Sequence, residues 1–355
     1  MKKTISSNPS INIAGRRIAI DTPPYIIAEL SANHNGDFDT ALKIIEEAKR
    51  AGADAVKLQT YTPDTITLNS DSEEFTIRGG LWDGRSLYEL YREAHMPWDW
   101  HKPLFEHARK FEITLFSSPF DSTAVDLLED LNAPAYKIAS FEAVDLALIK
   151  YVASTGKPMI ISTGMADVDE IKEAIEAAHE GGAKELAILH CVSGYPAPAE
   201  DYNLNVIPDM IKRFGLVTGL SDHTLDNTTA IGSVALGASI IEKHFTLDRN
   251  GGGPDDSFSL EPHDLAALCR DSKTVWNSIG SVDYGMKSCE KGNVQFRRSL
   301  YFVKNMSCGD IVTEESVKSV RPGYGLPPKH LSHVIGRTVT SDIKFGDPVT
   351  TKVLA

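Results

Sequence analysis

Reactive side chains recur at the ends of short apolar runs in this chain. Each run can be interpreted as a β-strand, and nearly every one finishes with a residue capable of acid–base, anion-binding or metal-binding chemistry. These residues are Glu29, Lys57, Gln59, Ser117, Ser118, Lys137, Ser140, Ser162, His190, Ser193, Ser221, Asp222, His223, Glu242 and His244. Polar groups in buried parallel strands carry a desolvation cost, so a shared site is the natural reason to retain them.

Structural roles compete with functional ones at these positions. Lys57 and Lys137 lie in otherwise apolar strands, which favours a functional role over an ion pair at the rim. Ser118 and Ser162 could equally be caps of the helices that follow. A lone strand histidine is usually a core residue, but His223 and His244 close two successive strands and could share a metal ion.

The elements that must position these residues alternate between strand and helix. Amphipathic stretches such as DFDTALKIIEEAKRAG, with an acidic start and a final glycine, separate the strand candidates. Eight strand–helix repeats predict a (β/α)₈ TIM barrel, in which all strand ends converge on one face. An open doubly wound sheet is the alternative, although no GxGxxG follows the first strand. The predicted strands are Tyr25–Glu29, Ala55–Gln59, Thr114–Ser117, Ala135–Ile138, Pro158–Ser162, Leu186–His190, Leu216–Leu220 and Ser239–His244.

Two segments depart from the repeat. Residues 60–97 insert GGLWDGRSLYELY after the second strand, on the rim where the strand ends converge. After Ile279 the pattern stops, and two apolar runs carrying Gly-Asp turns predict a small, mostly β domain. We therefore predict a barrel over residues 1–285, a linker over 286–297 and a small domain over 298–355.

Composition limits the classes of partner. The chain has 355 residues, 42% apolar and 24% charged, with a formal net charge of −13. This charge argues against binding to nucleic acid or an anionic membrane, but allows a local pocket for a small anion. The N-terminus has no apolar run typical of a signal peptide, and the four cysteines are scattered, so we expect a cytoplasmic protein with reduced thiols.

Taken in series, the motifs resemble those of the sialic acid synthase family. They are IIAELSANHNG, ADAVKLQTYTPD, FSSPF, AYKIASFE, ISTGM, HCVSGYP, GLSDHT, IEKHFTLD and GPDDSFSLEP. The tail from RPGYG to FGDPV resembles the antifreeze-like (SAF) domain that ends such enzymes. The resemblance implies a transferase that forms a carbon–carbon bond between phosphoenolpyruvate and an open-chain amino sugar.

Residue roles follow from the same resemblance. It implies that phosphoenolpyruvate is held by Lys57, Gln59, Ser118, Lys137, Ser140, Ser162, Ser193 and Ser221, a set of ammonium groups and hydroxyls that suits a phosphate and a carboxylate. It assigns acid–base and sugar-contact roles to Glu29 and Glu142, and binding of Mn²⁺ or Mg²⁺ to His223 and His244. Tyr195 and Asp255 match sugar-contacting positions. Arg321 matches an arginine that the tail delivers into the barrel of the partner subunit, in a domain-swapped homodimer.

Two departures concern the substrate. Ser193 stands where the sialic acid branch tends to have Asn, which weakens one expected contact. Leu81 and Trp82 replace a more polar segment, and an apolar wall suits a 6-deoxy sugar. Other sugar acids of the same kind remain alternatives, as do a metal-dependent aldolase and a non-catalytic protein acting through its tail. His34, in SANHNG, could be a turn residue or a site contact.

Overall fold

The structure is a computed structural model that describes residues 8–355. They form two compact units, the first ending at Gly280 and the second running from Ser281 to Ala355. The domain limits 1–285 and 298–355 proposed from sequence stay predictions. The linker proposed over 286–297 includes a 3₁₀ helix, Ser288–Phe296, and its limits stay a prediction.

The first unit is built on a closed barrel of eight parallel strands. The predicted TIM barrel is thereby confirmed, and the open-sheet alternative is excluded. A two-stranded hairpin, β1 (Ile11–Ile13) and β2 (Arg16–Ile18), precedes it. The barrel strands β3 to β10 are Tyr25–Glu29, Ala55–Thr60, Thr114–Pro119, Tyr136–Ile138, Met159–Ser162, Leu186–Cys191, Val217–Asp222 and Ile240–His244.

Helices cover the outside of the barrel. The first, α1, begins at an N-cap whose carboxylate, that of Asp37, accepts the Asp39 N–H at 2.9 Å, and it ends at Gly52, which has a φ of 95°. Such caps satisfy backbone groups that a helix end leaves unpaired. In chain order, the helices α1 to α11 are Phe38–Ala51, Pro63–Ile66, Leu87–Ala94, Trp98–Lys110, Ser122–Asp130, Leu146–Ser154, Val168–Glu180, Val206–Phe214, Thr228–Ala235, Pro262–Ile279 and Leu331–Val334, of which the last belongs to the second unit.

The barrel interior changes character along its axis. Near the strand starts the inward side chains are apolar and form one core cluster, which includes Ile27, Phe116 and Ile160. The hairpin adds Ile11, Ile13 and Ile18 to the same cluster, which closes this end of the barrel. Because side chains alternate along a strand, the positions two residues further on also point inward. Those positions carry the polar residues of the candidate site.

The insertion after β4 is folded. It contains α2, a 3₁₀ turn at Glu73–Phe75, and α3. A bridge between Thr76 and Ser86 closes a short turn that includes Trp82. The aromatic segment of the insertion therefore becomes a helix with a structured turn in front of it.

The second unit is small and mostly irregular, with one antiparallel pair. Its strands β11 (Ser299–Phe302) and β12 (Val317–Val320) pair in register from Ser299 with Val320. Its own core includes Leu300, Phe302 and Val349. Across residues 8–355, no helix is both long and apolar enough to cross a lipid bilayer.

Candidate active site

A buried ion-pair network occupies the polar end of the barrel interior. Lys57 Nζ lies 2.6 Å from Glu29 Oε2 and 3.2 Å from Ser118 Oγ. Gln59 Nε2 donates to Glu29 Oε1 at 3.0 Å and to Ser31 Oγ at the same distance. Both charged members are almost fully buried, Lys57 at 3% and Glu29 at 1% exposure. The sequence-predicted residues of β3, β4 and β5 are thus brought together.

A second carboxylate, that of Glu242 on β10, joins the lysines across the barrel. Its Oε1 lies 3.2 Å from Lys137 Nζ and 3.7 Å from Lys57 Nζ, and it accepts from Ser221 Oγ at 3.4 Å. Its other oxygen has no hydrogen-bond partner within residues 8–355. The sequence marks Glu242 as a strand end but assigns it no role. Its position in EKH, two residues before His244, was the available signal.

The charged groups in this network shift one another's pKa values. Burial opposes ionisation of Glu242, but the ammonium groups of Lys137 and Lys57 outweigh burial and lower its pKa. Burial lowers the pKa of Lys137 despite the attraction of Glu242. Burial raises the pKa of Glu29 to about 7, an effect that Lys57 opposes. Glu29 is therefore balanced between its two protonation states near neutral pH.

Serine hydroxyls gather near the ends of β6, β7 and β8, neighbouring strands of which β6 carries Lys137. An added Cβ at Gly164 would lie 2.3 Å from Ser193 Oγ and 2.8 Å from Ser140 Oγ, so these groups converge on one spot that only glycine leaves open. Ser162 Oγ and Ser193 Oγ are buried and have no hydrogen-bond partner in the described part of the chain. Unpaired buried hydroxyls next to a lysine are suited to the oxygens of an anion. Gly164 lies inside the ISTGM motif, and the sequence pattern alone predicts no role for it.

Two imidazoles face each other at the ends of β9 and β10. The rings of His223 and His244 lie 5.4 Å apart. His223 Nδ1 is 2.8 Å from the Val192 carbonyl oxygen, so it carries the proton and leaves Nε2 free as a ligand. His244 Nδ1 is buried, lies 3.9 Å from Asp255 Oδ2 and has no hydrogen-bond partner within residues 8–355. Imidazole nitrogens beside a carboxylate fit a divalent cation such as Mn²⁺.

Another histidine and two acidic groups could also offer ligands. Atoms of Glu261, His263 and Asp264 lie within 4.8 Å of one another at the start of α10. His263 is exposed, and Asp264 is engaged by Arg249 at 2.7 Å. This arrangement is explained by capping of the helix.

An aromatic wall borders the imidazoles. The Tyr195 ring lies 4.3 Å from that of His223, 5.5 Å from Phe258 and 6.1 Å from Trp82. Trp82 Nε1 donates to the Pro254 carbonyl at 3.3 Å, which connects the insertion to the loop after β10. Leu81 is 52% exposed and turns away from the packed interior.

Asp255 fixes the loop that carries it to the first strand. Its carboxylate accepts a hydrogen bond from the Ser31 hydroxyl, and Ser31 in turn accepts from Gln59. An added Cβ at Gly253 would lie 1.7 Å from Asn35 Oδ1, so this loop approaches the β3 end closely. A chain of hydrogen bonds thus joins Asp255 to the Glu29 network.

Glu142 lies in the field of the same lysines. Burial raises its pKa to about 7, and the charges of Lys137 and Lys57 oppose this shift. Its Oε2 is buried without a hydrogen-bond partner within residues 8–355. A carboxyl group that is neutral below about pH 7 can donate a proton.

Two further predicted residues lie elsewhere. Arg321 lies in the second unit, directly after β12. His34 is a buried turn residue, with Nδ1 accepting from the Gly36 N–H at 3.0 Å and the ring 5.5 Å from Trp100. His34 Nε2 is buried without a hydrogen-bond partner within residues 8–355, so the turn role is observed and a contact to a ligand stays open.

Comparison with known proteins identifies the families to which both parts of the chain are similar. Residues 44–284 match the NeuB family, and residues 297–355 match the SAF domain. A pseudaminic acid synthase of Campylobacter jejuni is 45% identical over 92% of this chain and 95% of its own. A pseudaminic acid synthase of Helicobacter pylori is 43% identical over 92% of this chain and 97% of its own. The crystal structure of an N-acetylneuraminic acid synthetase from Leptospira borgpetersenii, in complex with citrate, has a TM-score of 0.72 at 30% identity and covers 82% of this chain and 96% of that one.

The chain belongs to the NeuB family and ends in a SAF domain. The family resemblance inferred from the motifs is confirmed, and so is the prediction that the chain is an enzyme of the transferase class. The aldolase and non-catalytic alternatives are correspondingly disfavoured.

Proposed function

We propose that the chain is a pseudaminic acid synthase. It condenses phosphoenolpyruvate with the open-chain form of 2,4-diacetamido-2,4,6-trideoxy-β-L-altropyranose and water, giving pseudaminate and phosphate. The observation that carries the proposal is the pair of buried lysines, Lys57 and Lys137, beside a hollow lined by unpaired serine hydroxyls. The two pseudaminic acid synthases at 45% and 43% identity support the choice of product.

Phosphoenolpyruvate fits the charges and hydroxyls of the hollow. Its phosphate and carboxylate are both anionic, and charge-assisted hydrogen bonds from ammonium groups are stronger than neutral ones. Ser140 and Ser193 converge at Gly164, Ser162 ends the strand beside that of Lys137, Ser118 contacts Lys57, and Gln59 shares Glu29 with Lys57. Ser221, next to Glu242, completes the set proposed to bind this substrate.

His223 and His244 would hold a divalent cation, Mn²⁺ or Mg²⁺. Their support is geometric: one ring has its Nε2 free, and the other has an unpaired Nδ1 near Asp255 within the described residues. When bound, such an ion supplies Lewis-acid polarisation of the sugar aldehyde. Tyr195, Asp255 and Trp82 border the same space and are proposed to position the sugar, with Leu81 at its edge.

The proposed reaction consists of carbon–carbon bond formation, addition of water and loss of phosphate. The methylene carbon of phosphoenolpyruvate forms a bond to the aldehyde carbon, and the aldehyde oxygen takes a proton, for which Glu142 is the donor. Water adds to the former enol carbon and gives its proton to Glu29, whose pKa of about 7 suits a general base. The carbon–oxygen bond to phosphate breaks last: the hydroxyl on that carbon becomes the keto group of the product, its proton leaves with the phosphate, and Lys57 and Lys137 stabilise the departing charge.

The alternative products are N-acetylneuraminate and legionaminate. The apolar side chain of Trp82 beside Tyr195 favours a sugar that carries a methyl group in place of a hydroxyl. A site built of hydrogen-bonding groups would reject such a deoxy sugar, because its own polar groups would remain unpaired.

Phosphate release from phosphoenolpyruvate, measured with a panel of amino sugars, tests the proposal. We expect the diacetamido-trideoxyaltrose to give the highest kcat/KM, and N-acetylmannosamine to be at least about tenfold poorer. Formation of the sugar acid from pyruvate in place of phosphoenolpyruvate, or phosphate release that shows no sugar preference, would refute it. EDTA should abolish activity and Mn²⁺ should restore it, whereas an enzyme insensitive to EDTA would contradict the assignment of the metal ligands.

We also infer a domain-swapped homodimer in which Arg321 reaches the barrel of the partner subunit. The inference rests on the match to the SAF domain over residues 297–355. Mixing Arg321→Ala protein with Lys137→Met protein tests delivery between subunits. Activity recovered in the mixture would support the exchange, and two inactive parents that stay inactive when mixed would contradict it.

A further inference from the structure

Lys243 is a buried lysine that points away from the candidate active site. It stands between Glu242 and His244 on β10, and the alternation of a strand sends its side chain to the opposite face. Only 2% of Lys243 is exposed, and its strand neighbour in register, Asp222 on β9, is 1% exposed. A fully buried charge of this kind requires partners that compensate for its lost hydration.

Those partners are all present. Lys243 Nζ lies 2.7 Å from Asp222 Oδ2, 2.7 Å from the Thr224 carbonyl oxygen and 2.8 Å from the Asp226 carbonyl oxygen. An ammonium group has three N–H donors, so these three acceptors use its full capacity. Lys243 therefore has no donor left for a ligand.

The acceptors all belong to one turn, and that turn carries His223. Asp222 precedes His223, and Thr224 and Asp226 follow it. The Asp222 carboxylate also accepts the Thr224 N–H at 2.9 Å and the Thr224 hydroxyl at 3.1 Å. The turn is thus cross-linked to itself and to β10, the strand that bears His244.

A tyrosine holds the turn from the other side. The His223 N–H donates to the hydroxyl of Tyr202 at 2.6 Å, and the His223 carbonyl accepts from the Ala197 N–H at 3.1 Å. Tyr202 is fully buried. Together with the bond from His223 Nδ1 to the Val192 carbonyl, these contacts fix the backbone and the ring of His223.

We propose that Lys243, Asp222 and Tyr202 are positioning residues that hold the His223 turn at a set distance from His244, so that both imidazoles can bind one divalent cation. The inference rests on the metal role in the proposed function. None of the three residues touches the substrates in that role. They act through His223, as groups behind metal ligands do when they fix ligand orientation.

The test is the affinity of EDTA-stripped protein for Mn²⁺, measured by isothermal titration calorimetry. Tyr202→Phe removes one hydroxyl, and we expect it to raise the Mn²⁺ dissociation constant by about tenfold or more. The matched control is Tyr25→Phe, because Tyr25 is another buried tyrosine but lies at the closed end of the barrel. Tyr25→Phe should bind Mn²⁺ as the wild type does.

Kinetics separate positioning from a general structural effect. In Tyr202→Phe, kcat should fall at limiting Mn²⁺ and recover when Mn²⁺ is in excess, while the KM for phosphoenolpyruvate stays within about twofold. Lys243→Met should show the same pattern; if it does not fold, Tyr202→Phe alone decides.

Three results would count against the proposal. Folded Tyr202→Phe and Lys243→Met proteins with wild-type Mn²⁺ affinity would overturn the positioning role while leaving the metal assignment intact. Variants with a lower melting temperature but unchanged Mn²⁺ affinity would also overturn the positioning role and leave the metal assignment intact. A wild-type protein that binds no Mn²⁺ would overturn both the positioning role and the metal assignment.

Discussion

Lys137 and Lys243 are both buried in the same barrel, yet their surroundings are opposite. Lys137 points inward, and within the described residues its Nζ has one acceptor at hydrogen-bond distance, Glu242 at 3.2 Å. Lys243 points outward and has three short acceptors. An ammonium group with unused donors is prepared for a ligand, whereas one with none left stabilises the fold. Counting the partners of a buried charge thus separates the two roles where burial alone cannot.

The largest expected effect comes from removing the inward lysine. Lys137→Met should lower kcat/KM for phosphoenolpyruvate by about 10³-fold, because it deletes a buried charge that we propose binds this anion. Phosphate release measures the effect. Lys184→Met, the same change at an exposed lysine, is the matched control and should retain full activity. If kcat/KM of Lys137→Met for phosphoenolpyruvate lies within tenfold of the wild-type value, the distinction drawn between Lys137 and Lys243 is wrong.

The free energy of unfolding should respond in the opposite order, with the larger loss at Lys243 and the smaller at Lys137. Lys243→Met leaves Asp222 buried without its main partner and should lower the free energy of unfolding by about 3–5 kcal/mol. Lys137→Met should cost less than Lys243→Met, because the Lys137 ammonium group is itself poorly compensated and Glu242 keeps a second cation, Lys57 Nζ, at 3.7 Å. Urea unfolding of the two variants measures both values. Equal losses would contradict the distinction between the two lysines.

Glu142, a buried carboxyl group with one oxygen unpaired in the described residues, should resemble Lys137 in serving activity more than stability. Burial raises the pKa of Glu142 to about 7, so the folded state holds the proton more tightly than the unfolded state, in which the group titrates near 4.5. Stability contributed by the neutral form is complete below the unfolded pKa and is lost as pH rises through about 7. Glu142→Gln should therefore stabilise the protein by about 2–3 kcal/mol near pH 8 and by less than about 1 kcal/mol near pH 5.

Unfolding measured at both pH values, with activity assayed in parallel, tests this prediction. Glu173→Gln, an exposed position on α7, is the control and should show no pH-dependent gain. We expect Glu142→Gln to gain stability and lose turnover together. A gain that is the same at both pH values would show that ionisation of Glu142 is not the cause.

The smallest effect concerns the aromatic wall. Trp82→Ala should raise the KM for the sugar by about tenfold, because it removes the packing on Tyr195 and the bond to the Pro254 carbonyl. The KM for phosphoenolpyruvate should not change. Trp276→Ala is a close control, since Trp276 Nε1 also donates to a carbonyl, that of Ile20, but far from the strand ends. A parallel rise in both KM values would place Trp82 outside the sugar site.

Sequence alone could predict the barrel and the inward set of polar residues. The period-two pattern in AVKLQT marks Lys57 and Gln59 as neighbours on one face, and the structure places both in one network. The sequence could not show that the Lys243 ammonium group has more acceptors than that of Lys137. The number of acceptors depends on which strands and turns become neighbours. The same holds for Gly164, whose importance comes from Ser140 and Ser193 approaching it from other loops.

His34 illustrates a second limit. Its neighbours in sequence, Asn33 and Asn35, allow either a turn or a binding contact. The burial of its ring comes from Trp100 on α4, which packs against it and follows an insertion whose fold the local sequence does not determine. Contacts between distant segments thus decide the roles that short motifs leave open.

The isoleucines of the β1–β2 hairpin close one end of the barrel, and this has a kinetic consequence. A barrel with one open mouth admits and releases every molecule through the same opening. On the proposed function, the molecule bound between Lys57 and Lys137 lies deeper than the one bordered by Tyr195 and Trp82. Phosphoenolpyruvate must then enter first, so initial-rate patterns should follow an ordered sequence in which the sugar adds second.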